Sequence, residues 1–106
     1  MDAETIDNNI QELLASVREN YPNESALVGV AAATYKEALE PIDASMPAFL
    51  QARKKIRKLE AFGDYYVIAA VLLEAQKRPQ EMIAHYLGNA KTAYTAAIEL
   101  TTPARS

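Results

Sequence analysis

Several residue types that support particular chemistries are absent or scarce in this chain of 106 residues. It contains no cysteine, no tryptophan, one histidine and three glycines. Without cysteine there is no disulfide scaffold, no thiolate metal site and no cysteine nucleophile. Three glycines and five prolines are too few turn residues for the many turns of an all-β fold.

Long hydrophobic runs are missing as well. The longest uninterrupted apolar run, residues 65–73, has nine residues, whereas a membrane-spanning helix needs about 20. The first 20 residues are acidic and amphipathic, unlike a signal peptide, which is basic and then apolar. We therefore predict a cytoplasmic protein that does not associate with membranes.

Alanine is the most informative residue that the chain has in abundance. It occupies 20 of the 106 positions and has the highest helix propensity. Apolar residues recur at three- and four-residue steps, which is the helical period, and prolines separate the segments. The sequence predicts an all-α fold in a single domain, an up-and-down bundle of four to five helices. Five helical segments are predicted: residues 3–21, residues 24–40, a third that begins near Pro47 and ends at Gly63, residues 65–77 and residues 80–101. Residues 101–106 are predicted to form a flexible tail.

The number of helices depends on Gly63. As a helix-terminating glycine followed by Asp64 as an N-cap, it would divide residues 47–77 into two helices. Absorbed in the middle of a helix at a cost of about 1 kcal/mol, it would leave one long helix. Both interpretations remain open from the sequence.

Two segments are apolar on every side, residues 26–33 and residues 65–73. Such a helix is either central or covered by another chain. Because two of them compete for one small interior, we predict that a second copy covers part of this surface. Gly29 and Ala33, one turn apart, would let a neighbouring backbone approach closely, although a buried helix packed by small residues explains them equally.

Charge is divided unevenly along the chain. Residues 1–45 carry nine acidic and two basic side chains, and residues 46–106 carry five acidic and nine basic ones. The cations concentrate in a basic strip that we define as Arg53, Lys54, Arg57 and Lys58. The strip could contact phosphates of a nucleic acid, remain solvated, or dock on the acidic N-terminal helix of the same or a second copy. Against nucleic acid stands the overall pI of about 5.1.

Few residues are candidates for catalysis or metal binding. His85 lies one helical turn from Glu81, which indicates an exposed polar pair, because zinc sites need three or four ligands. A histidine phosphotransfer site would carry a lysine soon after the histidine, and that lysine is missing. Five tyrosines could line a cleft between helices but more commonly close a core or an interface: Tyr35, Tyr65, Tyr66, Tyr86 and Tyr94. We predict no catalytic, cofactor or metal residues and no enzyme activity.

Residues 72–86 resemble the helix–turn–helix of a tetratricopeptide repeat. That family needs its 34-residue period repeated about three times, and no second copy of the pattern occurs in this sequence. The resemblance therefore implies a helical hairpin in this region and nothing more.

The sequence as a whole favours a self-associating protein–protein interaction module, a structural or adaptor component of a larger assembly such as a virus particle. Association would form a symmetric dimer, or a ring or filament if the contact is head to tail. One alternative is a small inhibitor or immunity-type protein that blocks one protein target. A second alternative is a nucleic-acid-binding protein that uses the basic strip. The candidate interaction surface comprises Gly29, Ala33, Arg53, Lys54, Arg57 and Lys58.

Overall fold

A computed structural model of the protein describes residues 3–101, which form four helices and no strand. The helices are α1 (Ala3–Asn20), α2 (Glu24–Leu39), α3 (Ala48–Ala75) and α4 (Gln80–Thr101). The all-α prediction is confirmed, and the number of helices is four. Of the predicted tail, Thr101 is the last residue of α4, and residues 102–106 lie outside the described part of the chain.

The helix ends follow local chemistry. The Asn23 side chain caps α2 by accepting a hydrogen bond of 2.8 Å from the backbone N–H of Ala26, and Pro41 follows the end of that helix. The chain leaves α3 through Lys77, whose φ of 58° is left-handed. There the N–H of Arg78 donates to the carbonyl oxygen of Leu73 over 2.9 Å, which satisfies a helix-terminal carbonyl.

Gly63 does not end a helix. It lies buried near the middle of α3, and the prediction of a fifth helix that begins after it is therefore wrong. A Cβ atom on Gly63 would stand 2.5 Å from the Tyr94 ring of α4. The glycine thus serves close packing between two helices, which a sequence pattern does not distinguish from a helix stop.

Helix α3 is the central element. Measured between Cα atoms, α1 comes within 8 Å of α3 and α4, whereas α2 comes that close to α3 alone among the four helices. Gln76 at the end of α3 donates to Glu24 at the start of α2, so that these two helices run in opposite directions. Arg18 near the end of α1 pairs with Glu74 near the end of α3. At 1.5 Å per residue the 28 residues of α3 span about 42 Å, nearly the full 45 Å length of the molecule.

The core lies where α1, α3 and α4 meet, with α2 contributing from one side. Five consecutive residues of α3, from Val67 to Val71, are buried. From α2 only Leu27, Ala31 and Ala38 are buried. Residues 65–73 are therefore the interior segment that their composition predicts, and residues 26–33 lie at the periphery.

Candidate interaction surface

The exposed side of α2 carries a stripe of apolar side chains. We define the outer stripe as Val28, Ala32, Tyr35 and Leu39, all of which are exposed. The three large members leave 50%, 43% and 52% of their surface exposed, in that order. They remain exposed because α2 packs on α3 alone among the four described helices, so that a helix apolar all round buries only part of its surface.

Gly29 and Ala33 lie beside the outer stripe and are also exposed. No atom beyond the helix's own backbone and the chain neighbours lies within 4 Å of a Cβ built on Gly29. The close backbone approach predicted from this spacing is therefore not used within residues 3–101. These two positions remain available to a neighbouring molecule.

A row of aromatic rings connects α2 to α4 across α3. Tyr35 packs on Phe62 and Tyr65, with ring centroids 6.4 and 4.9 Å apart. The row continues through Tyr66, 5.4 Å from Tyr65, to Tyr86, 6.0 Å farther on. We call these five residues the aromatic row. Tyr35 belongs to both the row and the outer stripe, so that the two form one continuous surface.

The basic strip lies on the N-terminal half of α3. Arg53, Lys54 and Arg57 are exposed and Lys58 is half-buried. Within residues 3–101, no side chain of the strip forms an ion pair shorter than 4.0 Å. The strip thus places four cations on two helical turns without a direct ion pair.

Acidic side chains lie close to the basic strip. A shallow depression brings Glu37 and Glu40 of α2 together with Lys54, Arg57 and Lys58. A neighbouring depression places Arg57 with Glu60 and Asp64 as well as Glu37. The strip therefore lacks the uniform positive field that nucleic-acid binding uses.

The acidic helix α1 does not cover the strip. Its ion pairs connect it to other parts of the chain: Arg18 forms a bidentate pair with Glu74 over 2.8 Å, and Asp7 pairs with Lys91 over 3.1 Å. Docking of the strip on α1 inside one copy, one of the options left open by the sequence, is thus absent from the described residues.

A half-buried polar contact connects α3 to α4 next to Gly63. The Tyr94 hydroxyl donates a hydrogen bond to Asp64 Oδ1. Burial raises the pKa of the Asp64 carboxyl, and Glu60 and Glu37 add to the rise, while the bond from Tyr94 acts in the opposite direction. Burial and the same bond raise the pKa of Tyr94. The pair orients the ring that covers Gly63.

The other chemical candidates do not assemble into a site. His85 and Glu81 are both exposed, and the His85 ring lies at the end of the aromatic row, 6.4 Å from Tyr86. Of the five tyrosines, Tyr94 stands apart from the row, in contact with Asp64. Residues 3–101 contain no cluster of three or more side chains that could hold a metal ion. None of the four described helices is long and apolar enough to cross a membrane.

No protein family model, curated protein or solved structure matches this chain. The outer stripe is the feature that sequence reasoning missed, because it named Gly29 and Ala33 but not Val28, Tyr35 or Leu39. A signal was present, since the stripe recurs at steps of four, three and four residues, as in the seam of a coiled coil. What the sequence could not supply is which face of α2 points outward.

Proposed function

We propose that this chain is a non-enzymatic protein–protein interaction module that self-associates and serves as a structural or adaptor component of a larger assembly, such as a virus particle. The outer stripe carries the proposal. Val28, Tyr35 and Leu39 leave roughly half of their surface in water on one helix face. Burial of such surface contributes about 25 cal/mol per Å², and no part of residues 3–101 covers it.

The alignment of these side chains distinguishes them from ordinary surface residues. Single exposed apolar residues are common on soluble proteins, whereas a contiguous patch indicates an interaction site. Here the outer stripe continues into the aromatic row through Tyr35. A second copy is the simplest occupant because one surface then serves both partners.

Two other functions use parts of the same surface. If this chain is an inhibitor or immunity-type protein, the outer stripe would bind a different protein, and the chain by itself would be monomeric. A nucleic-acid interface would use the basic strip, but Glu37, Glu40 and Glu60 lie beside its cations and would repel phosphates. Self-association accounts for the apolar surface without this conflict.

Sedimentation equilibrium of the native chain tests the proposal. We expect a mass above 11.7 kDa that depends on concentration. Leu39→Lys should weaken association at least about tenfold, because it places a charge in the interface. The matched control is Leu100→Lys, since Leu100 on α4 is 47% exposed and lies outside the surface. A native chain that stays at monomer mass, or equal weakening by both variants, would contradict self-association through α2.

A further inference from the structure

The outer stripe has the spacing of a helix-pairing seam. Val28, Ala32, Tyr35 and Leu39 follow one another at steps of four, three and four residues, and residues at this spacing interdigitate with a second helix that crosses at a small angle. The stripe extends over 11 residue steps, or about 16 Å along α2. Its occupant is therefore expected to be a helix.

We infer that the occupant is α2 of a second copy of this chain, arranged antiparallel, with Ala32 of each copy against Tyr35 of the other. This inference rests on the proposed self-association and specifies its geometry. The arrangement is a two-fold symmetric pair in which Val28 of one copy faces Leu39 of the other.

Side-chain size decides between parallel and antiparallel pairing. In a parallel pair Tyr35 would face Tyr35 and Ala32 would face Ala32, so that one layer would be overfilled and the next nearly empty. In the antiparallel pair every layer combines a smaller with a larger side chain, Ala32 with Tyr35 and Val28 with Leu39. Such layers fill space evenly, and Gly29 beside the stripe removes a Cβ that would hold the helices apart.

Charge complementarity favours the same arrangement. Glu40 of α2 lies beside Arg57 and Lys58 of α3, so that the end of α2 marks the level of the basic strip along the molecule. Glu24 precedes Val28 by one turn. When Val28 of the second copy faces Leu39, Glu24 of that copy lies one turn beyond the end of α2, at the level of the strip. The cations of the strip, which form no ion pair within residues 3–101, thus share this level with a carboxylate from the other copy.

Disulfide trapping tests the arrangement, and the absence of cysteine from the native chain makes every introduced thiol unique. We compare Val28→Cys alone, Leu39→Cys alone and an equimolar mixture of the two under oxidation. In the antiparallel pair the same position in the two copies is separated by about 16 Å along the helices, beyond the Cα separation of about 7 Å that a disulfide tolerates. We expect at least about tenfold more covalent dimer in the mixture than in either variant alone.

Efficient trapping of each single variant with itself would overturn the antiparallel arrangement while leaving self-association intact. A native chain that is monomeric in sedimentation would overturn both. Leu100→Cys, at an exposed position outside the surface, measures random collision, and trapping in the mixture no greater than in this control also overturns the arrangement.

A second measurement needs no thiol. Glu24→Gln, which removes the charge but keeps an oxygen that accepts from Gln76, should raise the dimer Kd about threefold at low salt, as expected for one exposed charge contact. Glu12→Gln on the exposed side of α1 makes the same change of charge away from the interface and should leave Kd unchanged. Equal effects of the two variants would show that the strip does not meet Glu24.

Discussion

Residues 26–33 of α2 and residues 65–73 of α3 look equivalent in the sequence, since both are apolar on every side. In the folded chain they differ sharply. Val67 is fully buried, with 0% of its surface exposed, whereas Val28 keeps 50%. The reason is the number of neighbouring helices: among the four described helices, α3 contacts α1, α2 and α4, whereas α2 contacts α3 alone. The hydrophobicity of a segment therefore indicates that its burial is favourable, and the position of its helix in the fold decides how much of the segment the same chain buries.

The largest expected difference between the two regions concerns their valines. Val67→Ala should lower the free energy of unfolding by about 2 kcal/mol, because it leaves a cavity among packed side chains. Val28→Ala should change it by about 0.5 kcal/mol or less in the monomer, since the side chain is half exposed. Urea unfolding at a concentration where the chain is monomeric measures both. Similar losses from the two substitutions would mean that α2 is buried as deeply as α3.

The glycines of α2 and α3 provide a comparison of opposite sign. Gly63→Ala should destabilise the chain by about 2 kcal/mol, because the new Cβ would overlap the Tyr94 ring. Gly29→Ala should stabilise the monomer by about 1 kcal/mol, since the site is open and alanine has the higher helix propensity. Gly88→Ala, also at an open position, should stabilise the monomer by a similar amount to Gly29→Ala. Urea unfolding measures these three variants as well. Stabilisation by Gly63→Ala would contradict the close packing of α3 and α4 at Gly63.

The smallest expected effect is a dependence of stability on pH that arises from Asp64, which lies next to the buried residues 65–73. Because the pKa of Asp64 is raised in the folded state, the folded chain holds this proton more tightly than the unfolded chain. That stabilising contribution is fully present below the unfolded pKa and is lost as pH rises through the folded pKa. The Asp64→Asn variant cannot ionise at this position. As pH rises from 3 to 7, its free energy of unfolding should therefore increase relative to that of the native chain.

Asp43→Asn is the matched control for this pH dependence. Hydrogen bonds from Ser45 lower the pKa of Asp43, so that its contribution is present above the unfolded pKa and is lost as pH falls. As pH rises over the same interval, the free energy of unfolding of this variant should decrease relative to that of the native chain. Thermal unfolding at both pH values provides the comparison, and a common sign for the two variants would contradict the opposite environments of these carboxyl groups.

Much of the fold was predictable because it depends on local signals. Asn23, Pro41 and Pro79 mark helix boundaries through capping and backbone geometry that act within a few residues. The segments predicted over residues 24–40 and 80–101 coincide with α2 and α4 to within one residue. Gly63 was ambiguous because its role depends on Tyr94, 31 positions away, and no local rule includes that ring.

The candidate surface was predictable only in part. The spacing of Gly29 and Ala33 indicated α2, and the run of cations indicated the start of α3, but the two were separate hypotheses. That Glu40 lies beside Arg57 connects them into one side of the molecule. This connection is tertiary, since it depends on how the segment between α2 and α3 folds back along the chain.

The sequence by itself determined that the chain is helical, where three of its four helices lie, and that it carries more apolar surface than one small core needs. These properties follow from helix propensity, proline positions and composition, all of which act locally or as totals. Only the tertiary structure decided that Gly63 joins two halves of one helix, and that residues 26–33 of α2 rather than residues 65–73 of α3 keep apolar side chains in water. The physical reason is that the burial of a segment depends on how many helices pack around it. That number cannot be read from the residues of the segment itself.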